Sequence, residues 1–329
     1  MKELYEEIAH EFFHSWNLVS IKPAEYTPLN YGPQQMSAGL WFSEGFTMFY
    51  ADLLLRRAGL PMANVQDSTR IFHLQSIISR YYSDTGNTVI SPAKVSLASN
   101  SPPGMLGDYD ASTHLQGELL AVMLDLVIRN ASENKKSLDD VMKLMFKEFG
   151  NRKGFYATDI ERATKNICLC NGKVDSFFKN YIYSGHPIEF NKYLELAGLQ
   201  FHLTYAAAKN ADGKLLPDFR VYTWQPIGDT LYHIGITNPL NCWTKSGIHT
   251  GDVVFSLNNH SIKTRQDFHN ALNDLHVNDT LMVTTRRYDS KISIPVTITG
   301  YDKPVASITQ IPNASSRQQK LLEQWEEGN

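Results

Sequence analysis

Apolar positions recur every three to four residues through the first 187 residues, the period of helices packed on one face. The pattern predicts helices near 2–16, 35–58, 61–83, 112–131, 136–149, 158–168 and 173–183. In the first, Leu4, Tyr5, Ile8, Phe12 and Phe13 set the stripe from the start of the chain. Pro61 suits a helix start, and Ser137 with Asp140 reads as a capping box. Ser, Pro, Gly and Asn crowd residues 86–107, which are expected to form a long surface loop. From about 190 the pattern changes to short β-branched runs, predicting strands over 219–223, 230–237, 253–257, 281–287 and 292–299. Turns are expected at Asn258-Asn259 and Asp289-Ser290, and one helix over 265–275. Beyond Pro304 the chain is polar and then offers a short amphipathic helix through Leu321, Leu322 and Trp325. The division that follows is a helical part over 1–187, a β-rich part over 188–302 and a tail over 303–329.

Composition changes this picture little. The 329 residues are 42% apolar and 20% charged, which suits globular protein with about two cores. A formal net charge of −3 without a basic cluster gives no field for nucleic acid. No apolar run approaches the roughly 18 residues of a membrane span. The first residues are acidic and lack the apolar run of a signal peptide, so they indicate no compartment. Cys168, Cys170 and Cys242 are expected to be ordinary small side chains, because the Cys-x-Cys pair has no His or Cys neighbour at a zinc spacing.

The chemistry lies in the first fifty residues. His10-Glu11-Phe12-Phe13-His14 is a His-Glu-x-x-His motif on a predicted helix, and the four-residue step puts both imidazoles on one face, one turn apart. Both can therefore reach one ion, with Glu11 beside it to accept a proton from water. A catalytic zinc site needs a third protein ligand and an open position. Trp41-Phe42-Ser43-Glu44-Gly45 offers Glu44 on a second helix, returning antiparallel after a crossing loop at 18–34, and Gly45 is expected to let the two helices approach closely. His73, His202, His249, His260 and His276 have no such pattern and read as surface or structural residues.

These segments resemble the glycyl aminopeptidase family of gluzincin metallopeptidases. The likeness runs through His10 to Asn17, Ile21-Lys22-Pro23 and Leu40 to Tyr50, and then through Gly117 to Arg129, Ser137 to Met142 and Phe177 to Tyr181. Gly247 to Val254 is similar to a segment of the PDZ domain that follows in that family. The resemblance implies a multidomain α plus β protein: the helical half of a thermolysin-like zincin catalytic domain, followed by a PDZ-like β domain. It implies zinc held by His10, His14 and Glu44, Glu11 as general base, and peptide substrates with small terminal residues. Asn17, Thr47 and Tyr50 are candidate neighbours of the ligands or ordinary packing residues. In the PDZ-like part, the helix at 265–275 is expected to flank a peptide groove, with Ala197-Gly198-Leu199 as candidate carboxylate loop. Capture of a peptide ligand and simple packing on the catalytic half are both open readings of that part.

Two departures from the family pattern stand out. Where related enzymes carry Tyr-x-Lys-Gly, whose tyrosine stabilises an oxyanion, this chain has His114-Leu115-Gln116-Gly117. His114 can donate the same hydrogen bond, Tyr109 is a second candidate, and a solvated helix start is the alternative. Only nine residues precede His10, so the upstream sheet and Gly-x-x-Glu-His segment expected of the family are not seen, and the chain reads as the C-terminal part of a longer protein. The expected function is a zinc-dependent aminopeptidase. The alternatives are an endopeptidase and a catalytically impaired peptide-binding or scaffold protein.

Overall fold

The computed structural model describes residues 2–28, 35–60, 69–99, 101, 104–150 and 153–328. Its helical part contains α1 (Lys2–Phe13), α2 (Leu40–Arg57), α3 (Arg70–Ser83), α4 (Gly86–Val89), α5 (Pro92–Ala98), α6 (Thr113–Ser132), α7 (Leu138–Phe149), α8 (Ala157–Cys168), α9 (Asn171–Phe177), a π-helical turn (Phe178–Tyr183) and α10 (Phe190–Leu194). The expected helix start at Pro61 lies outside the described residues. α3 starts instead behind Thr69, whose side chain accepts from the Phe72 amide.

α6 runs through the centre, buried at every position from Leu115 to Arg129. Such all-round burial is what its largely apolar run from Leu119 to Ile128 requires. Two of its three buried charged residues, Asp125 and Arg129, pair with each other at 2.8 Å, and Asp125 also accepts from the Leu138 amide at the start of α7. α2 crosses α6 at Gly45 and Gly117, where a Cβ on Gly45 would fall 2.2 Å from Gly117 Cα. Gly45 therefore admits α6, whereas its expected partner was α1. Trp41, Phe42 and Phe46 complete the packing around this crossing, each with at most 1% exposure.

Several expectations are corrected here. Residues 86–107 are largely structured: α4 and α5 lie within them, with Pro92 in the first turn of α5 and Ser91 accepting from the Lys94 amide. Ser-Pro at a helix start has a turn-like composition, which disguised α5 as loop. Its Ser96 is buried and accepts from the Trp41 amide at 2.9 Å, tying it to α2. Cys168 and Cys170 are joined by a disulfide across Leu169, with Cα atoms 5.1 Å apart, while Cys242 is free and buried.

The β-rich part comprises β1 (Leu199–Ala207), β2 (Val221–Trp224), β3 (Tyr232–Ile236), α11 (Cys242–Lys245), β4 (Val253–Leu257), β5 (His260–Ser261), α12 (Arg265–Asn273), β6 (Thr280–Arg287), β7 (Ser290–Thr297), β8 (Asp302–Gln310) and α13 (Ser316–Glu327). An antiparallel sheet runs β2-β3-β4-β6-β7, with β5 paired to β4. Asn258 and Asn259 take the left-handed conformation in the β4–β5 turn, as their side chains tolerate. The β6–β7 turn sits at Tyr288-Asp289, one residue earlier than expected. Trp243, Phe268, Leu281 and Val283 form a core separate from that of the helices.

β1 and β8 were not anticipated. They pair antiparallel from Leu199 opposite Gln310 to Ala207 opposite Asp302, so the polar stretch after Pro304 is a strand. Ala306 and Ile308 on β8 donate their amides to Ser79 and Gln75 of α3, which binds this ribbon to the helical part. The sheet unit is thus inserted between two adjacent strands. α13 then returns to the helical core, where Arg70 lies 4.2 Å over the Trp325 ring and donates to its carbonyl. Ala197-Gly198-Leu199 is no carboxylate loop: Gly198 packs against Ala314 and Gln318 beside α13. No described helix is long and apolar enough to cross a membrane.

Candidate metal centre

α1 and the turn that continues it present His10 and His14 toward α2, because the apolar residues Ala9 and Phe13 dock on that neighbour. After α1 the chain turns, and buried Asn17 donates to the Phe42 and Ser43 carbonyls and to the Thr47 hydroxyl. These bonds fix the end of α1 against the turn of α2 that carries Glu44. Asn17 and Thr47 thus position the ligand helices. Tyr50 stacks on Phe13 and donates to Asp139, away from the cluster.

Three of the expected residues meet. His10 Nε2 and His14 Nε2 are 2.9 Å apart, and Glu44 Oε2 lies 3.5 Å from the first and 3.3 Å from the second. Two ligands at zinc distances and a tetrahedral angle stand about 3.3 Å apart, so these separations bracket what one ion needs. Among the described residues this is the cluster of His, Cys, Asp and Glu side chains suited to a metal. The His14 Nδ1 donates to the Asn17 carbonyl at 2.8 Å, which leaves the Nε2 lone pair for a cation. Burial alone would raise the Glu44 carboxyl, but hydrogen bonds from His10, His114 and His14 hold it well below the usual carboxylate range. His14 is lowered by burial, yet Glu44 and the Asn17 carbonyl carry it above its ordinary value. The donor set fits zinc.

Glu11 is exposed and lines the same cavity of about 630 Å³. His114, the first outward residue of α6, reaches Glu44 Oε2 with its Nε2 at 3.1 Å and stacks at 5.7 Å on His10. It therefore faces the cluster. Tyr109 lies in an adjoining cavity and does not line this one.

One pair was missed. His73 on α3, read as an unpartnered histidine, enters this cavity and bonds Glu118 at 2.6 Å. Burial pulls the imidazole down, but the adjacent carboxylate and their hydrogen bond push it up to about 9. Glu118 follows His114 by four residues on α6, a local spacing that could have flagged it. His73 gave no local signal, since only the packing of α3 on α6 brings it near. Glu6, Glu7 and Asp52 also line this cavity.

Residues 3–120 match the family model of the M61 glycyl aminopeptidases, and residues 238–298 match that of the PDZ domain. The chain carries an M61 glycyl aminopeptidase region and a PDZ domain. The M61 match covers both ligand helices and the N-terminal turns of α6, and so contains every residue of the cluster. Among solved structures, an aminopeptidase N family protein from Idiomarina loihiensis shares the fold, with a TM-score of 0.63 at 21% identity over 99% of this chain and 55% of that one. The chain thus spans about half the length of that protein. The HtrA3 PDZ domain bound to a phage-derived ligand matches 33% of this chain and 92% of its own at 12% identity and a TM-score of 0.20. A search of curated proteins gave no match.

Proposed function

We propose that the chain is the metal-binding part of a zinc-dependent aminopeptidase that removes small residues, glycine or alanine, from the amino end of peptides. The observation that carries this reading is the convergence of His10, His14 and Glu44, whose donor atoms lie within 4.8 Å of one another. Two imidazoles and a carboxylate are a donor set of catalytic zinc. When bound, zinc supplies a Lewis acid that polarises a carbonyl and acidifies water. Glu11 takes a proton from the attacking water and returns it to the departing amine. His114, half-exposed at the cavity mouth, donates to the oxygen that turns negative during attack. A free amino terminus is cationic, and a cavity lined by Glu6 and Glu7 besides the His73–Glu118 pair suits it, which favours terminal over internal cleavage. The preference for small residues rests on likeness to the glycyl aminopeptidases. Peptide ligands of the PDZ domain would add to the edge of β2 beside α12.

The test compares wild type, Glu11→Gln and His14→Ala for bound zinc by elemental analysis and for release of glycine and alanine from short peptides. Glu11→Gln should keep zinc and lose turnover by about 10²–10⁴-fold, because glutamine keeps the shape but accepts no proton. His14→Ala should lose both. Zinc absent from the wild type, or full turnover in Glu11→Gln, would refute the reading.

A further inference from the structure

A second cavity, of about 480 Å³, adjoins the candidate metal centre, and His114 lines both. Its size lies within the roughly 300–1,000 Å³ of ligand sites. Ser99 at the end of α5, Met105, Tyr109 and Ser112 form one wall; Tyr222, on β2 just upstream of the matched PDZ segment, forms the other. Single exposed aromatics are ordinary on a protein surface. Here Tyr109 and Tyr222, from the helical and the β-rich parts, line one cavity that begins at His114. β2 is an edge strand, and the Tyr222 ring covers Gly235, where a Cβ would fall 2.2 Å from it.

The two walls are fastened to each other. Asp108 accepts from the Thr250 amide at 2.7 Å and from His249 Nδ1 at 2.6 Å, and the Asp110 amide donates to the Thr237 carbonyl. Four residues after Asp110 comes His114. The segment that positions His114 is thus the one clamped to the β-rich part. An aminopeptidase keeps one residue on the amino side of the cut bond, so the remainder of its substrate must run the other way. The first cavity, lined by Glu6 and Glu7, suits the amino group, and the second cavity, which shares His114 with it, is the continuation left for the rest.

Building on the aminopeptidase reading, we infer that the β-rich unit carrying the PDZ domain completes the substrate channel: residues after the cut bond pass His114 and lie between the 104–113 segment and Tyr222. The cavity then selects for peptides longer than two residues, with Tyr222, Tyr109 and Met105 as specificity-determining side chains.

The test measures binding of fluorescent Ala-Gly peptides of two and six residues to the zinc-loaded Glu11→Gln chain. The peptides are amidated at the C-terminus, so that no carboxylate pocket takes part. The longer peptide should bind about tenfold more tightly, and Tyr222→Ala should remove most of that gain while leaving the dipeptide unchanged. Tyr109→Ala and Met105→Ala, on the opposite wall, should act alike, which guards against a local fault in β2. Equal affinity for both lengths, or a gain untouched by all three substitutions, overturns the inference and leaves the metal centre standing. Retained zinc with no binding of either peptide sinks the aminopeptidase reading, and this inference with it.

Discussion

Replacing Gly45 by alanine tests how the ligand helices are held. A Cβ there would meet Gly117 Cα at 2.2 Å, Gly117 C at 2.4 Å and Glu118 N at 2.6 Å, all backbone atoms that no rotamer change can move. To restore ordinary contact, α2 must back away from α6 by roughly 1 Å in an interior packed like a crystal. Overpacking of this kind costs about 1–3 kcal/mol, and the rigid neighbours place it near the upper figure. Alanine returns about 1 kcal/mol of helix propensity, leaving a net loss of about 2 kcal/mol. For a domain of this size that lowers Tm by about 4–8 °C. Asn17 fastens α1 to α2, so His10, His14 and Glu44 should move together and zinc affinity should change little. The assay is a thermal melt of the metal-free chain beside a zinc titration against a competing chelator. Gly172→Ala, where nothing lies within 4 Å, serves as control. An unchanged Tm would refute the packing argument, and loss of zinc as complete as in His14→Ala would refute the idea that α1 and α2 move as a unit.

Three further outcomes are expected. The His73 imidazole is held at about 9 in the folded chain against 6.5 unfolded, so its contribution to stability is complete below about pH 6.5 and lost as pH rises through 9; urea titrations should show that fall and His73→Gln should flatten it. Trp325→Ala should cost about 3–5 kcal/mol, because it removes a side chain with 1% exposure that covers the Arg70 guanidinium, and chemical denaturation will measure it. Leu4, Ile8 and Phe12 lie more than half exposed along α1 at 56%, 54% and 59%, so the purified chain should self-associate in light scattering and Ile8→Glu with Phe12→Lys should disperse it.

Legibility followed the range of the interactions. His10 and His14 could be paired from sequence because one helical turn fixes their relation, and Glu44 followed from the helix its neighbours predict. His114 was found through a family position, and its approach to Glu44 depends on a glycine crossing whose partner was misjudged. Gly45 signals close approach, but nothing local says to which helix. The His73–Glu118 pair is a contact between α3 and α6, and His73 has no pattern of its own. β1 and β8 escaped notice because each needs a partner on the far side of the β-rich insertion, and β8 reads as polar tail without one. In α5 the helix start signal, Ser91-Pro92, was outweighed by the loop-like composition around it.

The placement of α13 has a consequence for how the protein is made. Arg70 is buried in the helical core, and the ring and carbonyl that accommodate it belong to Trp325, beyond the whole β-rich insertion. Every residue of the β-rich insertion leaves the ribosome before that tryptophan does. The insertion has its own core and can fold as soon as β7 emerges, whereas the helices of the candidate metal centre must wait with Arg70 uncovered. A nascent chain paused before α13 would hold a finished PDZ unit beside an unfinished helical part, so the order of maturation is the reverse of the order of translation.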